Sequence, residues 1–183
     1  SIGDFAFNSC STLTSIVIPD SVISIGKFAF RSCATLESIT VPFVGAEKDG
    51  TTNAYFSYIF YDVPQSLKTV VVTGGTSIGS GAFSGMTNLT SVTLPNSITS
   101  IGSSAFRGCT GLTSLIIPDG VTEIGVNTFE GCSNLTSIQL GKGLTNIGAS
   151  AFYDCKALTD IKLPDGLLSI GDSAFESCTS LTS

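Results

Sequence analysis

An Ile-Gly pair recurs along this chain at a fixed interval, and that interval most constrains what the chain can fold into. Ile2, Ile25, Ile78, Ile101, Ile124, Ile147 and Ile170 each precede a glycine, and all gaps but one are 23 residues. The exception, from Ile25 to Ile78, is 53 residues, which is two periods and seven more. A Phe follows each of these isoleucines five positions later, and the same spacing separates Tyr55 from Phe60 inside the long gap. The chain therefore reads as seven complete units and the start of an eighth. One unit is degenerate and preceded by a seven-residue insertion near residues 43–55. A period of this length is the signature of a solenoid.

Each unit carries a strand signal and a helix signal. In Leu112-Thr-Ser-Leu115-Ile-Ile117-Pro118 the apolar residues end in a period-2 run stopped by proline. Upstream, Ala105, Phe106 and Cys109 fall on one face of a short helical turn. A lone 23-residue coil has nothing to bury its apolar side against. Stacked coils share one continuous core, with their strands about 4.8 Å apart in a parallel sheet.

The L-x-x-I-x-[IL] core is that of leucine-rich repeats, and the recurring IGxxAFxxCxxLTSIxIP resembles the BspA-type subclass of bacterial cell-surface repeat proteins. The resemblance covers essentially the whole chain and departs from the frame at Val44 to Asp62. It implies one α/β repeat domain over residues 1–183, a right-handed leucine-rich-repeat solenoid. In it a parallel sheet lines the concave side and short helical turns line the convex side. It further implies a secreted or surface-anchored, extracellular bacterial protein. The implied function is a non-catalytic protein-binding or adhesion module, with a host or microbial surface protein as partner. The alternative is a passive spacer that presents another domain.

Composition narrows the chemistry. The chain has a net charge of −6 and no basic cluster, which argues against nucleic acid and anionic membrane surfaces as partners. No apolar run approaches the roughly 18–20 residues of a membrane helix, so no membrane insertion is expected. With no His, the usual triads and histidine general bases are unavailable, and neither an enzyme nor a cofactor is expected. The chain starts and stops inside repeat units without polar caps, which reads as a piece excised from a longer protein. Such a piece is expected to self-associate end to end.

Cys10, Cys33, Cys109, Cys132, Cys155 and Cys178 each lie three residues after the frame Phe, and Val63 and Met86 take that place in two units. Apolar substitutes in the column point to buried free thiols. Spacings of 23 or more match no zinc motif.

Two surfaces are candidates for binding. The first is the insertion, expected to project from the sheet edge, with Glu47, Lys48 and Asp49 leading into Tyr55, Tyr58 and Tyr61. A Tyr-rich patch beside an irregular loop suits recognition, although the same rings could simply pack the base of the loop. Deleting Gly45 to Thr51 restores the 23-residue gap and is expected to leave the fold intact. The second surface is the outward row of the sheet: Val17, Thr40, Val71, Thr93, Ile116, Gln139 and Lys162, with Asp160 beside the last. Asp160 and Lys162, two apart on one strand face, are expected to form a solvated ion pair.

Overall fold

The computed structural model describes residues Ser1–Ser183 as a stack of coils whose short strands form parallel ladders along two sides. Strands are numbered in chain order. Along one side run β1 (Ser15–Val17), β2 (Ser38–Val41), β3 (Thr69–Val72) and β5 (Ser91–Thr93), followed by the pair β7 (Ser114–Ile116) and β9 (Ser137–Gln139). Along the other run the two-residue strands β4 (Ser77–Ile78), β6 (Ser100–Ile101), β8 (Glu123–Ile124), β10 (Asn146–Ile147) and β11 (Ser169–Ile170). Every strand pair is parallel, and the register places each residue on its copy in the next coil, as in Leu115 on Ile138 and Ile147 on Ile170. Proline follows within two residues of β1, β2, β5 and β7, because a residue without an N–H cannot extend the ladder.

The core is one cluster of 44 buried apolar residues running the length of the stack. Its spine is a column of stacked phenylalanines. Neighbouring ring centroids lie 4.9 Å apart from Phe83 to Phe106, 5.3 Å from Phe106 to Phe129 and 5.2 Å from Phe129 to Phe152. Offset stacking at this separation adds to area burial, so the column aligns successive coils as well as filling them.

The third side is not helical, contrary to the expectation of short helical turns there. Alternate N–H groups bond within the coil and to the next one. Ala105, Arg107 and Cys109 donate to Gly102, Ser104 and Phe106 of their own coil, whereas Phe106 and Gly108 donate to Thr128 and Glu130. A helix would direct all of these N–H groups inward. Each regular coil also passes twice through the left-handed region, at Ser104 (φ 57°) and Gly108 (φ 69°) in this coil, which no α-helix tolerates. The one α-helix, α1 (Phe56–Phe60), belongs to the degenerate coil.

All six cysteines are free, and the four in the interior coils are buried. They are more than small hydrophobes. Cys109, Cys132, Cys155 and Cys178 each donate an S–H to a Phe carbonyl of the preceding coil at 3.1 Å, and Cys33 does so at 3.2 Å. Burial pushes the Cys109 thiol up to about 12 and raises Cys33, Cys132 and Cys155 as well.

Candidate binding site

The largest departure from the 23-residue period is the degenerate coil, which carries the insertion, the helix α1 and an open cleft. The insertion does not project. Pro42, Phe43, Val44 and Gly45 are buried, and the chain then turns back along the Ile-Gly side. There Glu47 makes an antiparallel bridge with Ser24, and the Ala46 carbonyl accepts the Ile25 N–H at 2.8 Å. A single antiparallel bridge thus stands where the missing Ile-Gly pair would have extended the parallel ladder. Asp49 then ties the loop to the following coil. Its Oδ1 accepts the Thr76 N–H at 2.5 Å and the Thr76 hydroxyl at 2.8 Å, and those two donors hold its carboxyl below the usual range.

Tyr55 does not stand in for the frame isoleucine. It is 39% exposed, whereas Ile25 and Ile78 are 1% exposed. Instead α1 sends two rings into the phenylalanine column. Phe60 packs on Phe30 at 5.7 Å, Phe56 on Phe60 at 5.9 Å and Phe83 on Phe56 at 5.1 Å. Three ring-to-ring steps therefore separate Phe30 from Phe83, where two separate Phe83 from Phe129. The extra ring is a wedge between the second and fourth coils.

A cleft of about 650 Å³ lies beside this wedge, lined by Arg31, Tyr61, Asp62, Val63, Gln65, Met86 and Asn88 among others. Here the thiol column is interrupted by Val63 and Met86. The chain also spends one residue more between Val63 and Leu67 than between Cys33 and Leu36. Asn88 Nδ2 donates to Gln65 Oε1 across the cleft lining. Tyr61 stands at the mouth, 55% exposed, at φ 75° and ψ −73°, the strained geometry of a γ-turn. Its ring meets the Phe28 ring edge-on at 5.0 Å, and the Arg31 guanidinium lies over it at 5.2 Å. Phe28 is in turn edge-on to Phe5 at 5.8 Å and covered by Lys27.

The six insertion residues therefore do not form one patch. Glu47, Lys48 and Asp49 lie on the Ile-Gly side, exposed, with Asp49 engaged by Thr76. Tyr55 and the half-buried Tyr58 meet edge-on at 6.5 Å, and Tyr58 packs on the core. Tyr61 joins Phe28 and Arg31 instead. The signal for the cleft was present in the sequence as the Val63 and Met86 substitutions and the additional residue before Leu67. Neither substitution nor spacing alone reveals that the space stays open.

Of the sheet row, Val17 is 71% and Ile116 64% exposed; Thr93, Gln139 and Lys162 are also exposed, while Thr40 and Val71 are half-buried. The row is continuous in register from Val17 through Thr40 and Val71 to Thr93. The expected Asp160–Lys162 pair does not form. Asp160 accepts the Ser183 hydroxyl at 2.9 Å, and the two ion pairs of the molecule are Arg107–Glu130 and Lys156–Asp154.

No curated protein matches the chain. Among solved structures it is similar to a leucine-rich repeat protein from Bacteroides ovatus, at 34% identity and a TM-score of 0.69, over 91% of this chain and 41% of that one. It is also similar to a leucine rich cell surface protein from Faecalibacterium prausnitzii, at 31% identity and a TM-score of 0.60, over 100% of this chain and 41% of that one. A leucine-rich repeat protein of T. pallidum is 29% identical, with a TM-score of 0.55, over 87% of this chain and 71% of that one. The chain thus spans about two fifths of the length of the first two. Six copies of the BspA type leucine rich repeat region match residues 1–48 and 53–182, leaving out four residues of the insertion. With nearly every residue inside that match, the chain belongs to the BspA-type leucine-rich repeat family.

Proposed function

We propose that this chain is a non-catalytic protein-binding module of a bacterial surface protein, and that the degenerate coil carries its recognition surface. The observation that supports this reading is local irregularity in a regular scaffold. A stack that repeats its register along both ladders departs from it in one coil, where a docked loop, exposed tyrosines and an open cleft coincide. Binding residues concentrate on irregular segments held by a rigid frame. The surface assignment draws on the Faecalibacterium relative, whose description is that of a cell surface protein.

The sheet row gives the competing reading, a spacer, because its Val, Thr, Ile and Gln side chains are uncharged from Val17 to Gln139. Binding of the purified chain to a panel of extracellular matrix and bacterial surface proteins separates the two. A partner lost on Tyr55→Ala and Tyr61→Ala substitution but kept on Thr93→Lys and Gln139→Lys is the expected outcome. A chain that binds nothing on the panel favours the spacer. Antibody labelling of intact cells tests the location.

A further inference from the structure

We infer that the cleft beside Tyr61 is a docking site for an acidic peptide segment of a protein partner, with Arg31 taking a carboxylate of that segment. The inference rests on the protein-binding reading above and assigns it a place and a chemistry.

The argument starts from a comparison the repeat itself provides. Arg31 and Arg107 occupy the same place in their coils, one residue after the frame Phe. Arg107 is answered by the residue at that place in the next coil, Glu130, through a two-pronged bond of 2.9 and 3.0 Å. The residue at that place after Arg31 is Tyr61, which offers a ring face and no carboxylate. No carboxylate pairs with Arg31 elsewhere. Its guanidinium lies over the ring at 5.2 Å, and its N–H donors make no hydrogen bond within the chain, so they are open to a two-pronged partner. Arg31 is exposed and lines the open cleft, where an acceptor from a partner can reach it.

The cleft specifies more than a charge. Its lining is mixed, with Val63, Leu67 and Met86 among polar residues, so it offers apolar contact next to the carboxylate. Asp62 in the same lining repels a second carboxylate but accepts an N–H, which a peptide backbone supplies. Tyr and Arg are also the side chains that dominate binding energy at protein interfaces.

The test uses the intact chain and a random copolymer of Glu and Tyr as probe, with a Lys and Tyr copolymer and tetragalacturonate as comparisons. The Glu/Tyr copolymer should bind, weaken with added salt, and bind at least about tenfold more weakly to Arg31→Gln, the scale of one charge-assisted hydrogen bond. Tyr61→Glu should place a carboxylate where Glu130 stands for Arg107 and abolish binding while the protein remains folded by circular dichroism. Tyr61→Gly, which relieves the strained turn, should keep the melting temperature and still bind weakly. Copolymer binding that neither Arg31→Gln nor Tyr61→Glu changes would overturn the inference. So would a failure of the Glu/Tyr copolymer to bind. Binding of the Lys/Tyr copolymer in its place removes the carboxylate assignment but leaves the protein-binding reading standing. Binding of tetragalacturonate alone, lost in the same variants, makes the cleft an acidic-glycan site and sinks both.

Discussion

At the scale of single residues the thiol column shows how a partner changes an expectation. A buried Cys with nothing to bond would make Cys132→Ser costly, since a hydroxyl would be stranded in an apolar column. The Cys132 S–H, however, already donates to the Phe106 carbonyl at 3.1 Å, and a serine hydroxyl inherits that acceptor with a small shift. We expect Cys132→Ser to cost about 1 kcal/mol, in the range of a retained but imperfect hydrogen bond. A lower urea midpoint with an unchanged slope would show this. A loss of several kcal/mol would mean the oxygen does not reach the carbonyl. The same burial sets an alkaline limit. The thiols of Cys109, Cys132 and Cys155 are held neutral in the fold, while in the unfolded chain they ionise near their ordinary value of 9.0. The native state therefore binds more protons above that pH, so stability is full below about pH 9 and falls as pH rises toward about 12. The slope is about 1.4 kcal/mol per pH unit for each buried thiol. Removing one thiol as Cys132→Ala should flatten the fall by one such share, measured by urea unfolding at pH 8 and pH 10.

At the scale of elements the insertion is a structural part of the stack. Deleting Gly45 to Thr51 restores the period on paper. It also removes the Ala46 carbonyl that accepts the Ile25 N–H, the Glu47 bridge to Ser24, and both Asp49 bonds to Thr76. At about 1 kcal/mol for each lost bond, the deletion should cost about 3 kcal/mol or more, the reverse of what the spacing suggests. Urea unfolding of the deletion variant checks this, and an unchanged midpoint would show the loop to be expendable. The helix α1 gives a second test at this scale. Phe56 and Phe60 both fill the phenylalanine column, so Phe56→Ala should cost about 3–5 kcal/mol even though no other coil has a ring at its place. Calorimetry of that variant beside Phe106→Ala decides whether the wedge ring carries the same load as a frame ring.

At the scale of the whole molecule the stack is a one-dimensional assembly in which each coil contacts its neighbours, and stability sums over interfaces. The interface at the degenerate coil differs from the others: on the Ile-Gly side it has a single antiparallel bridge where the later coils pair in parallel, and in the turn it lacks thiol bonds at Val63 and Met86. Opening should therefore begin there. Hydrogen exchange followed by mass spectrometry should find the amides of residues 98–132 slowest and those of residues 45–53 markedly faster. Uniform exchange across both segments would show that the irregular coil is as tightly held as the regular ones.

The period in the sequence determined the register of the regular coils, the inward Phe and Cys columns and the outward sheet row. In a solenoid each residue lies beside its own copy 23 places on, so a linear repeat states its contacts directly. Arg107 on Glu130 and Leu115 on Ile138 follow from counting. The backbone of the third side could not be counted in this way. The same A-F-x-x-C pattern suits a helical turn, and only the bonds to the next coil choose the left-handed turns instead. Only the tertiary structure decided the antiparallel bridge at Glu47, the second ring from α1 and the open space beside Tyr61. Their contacts, Ile25 to Ala46, Asp49 to Thr76 and Arg31 to Tyr61, span separations other than the 23-residue period, so the repeat does not announce them.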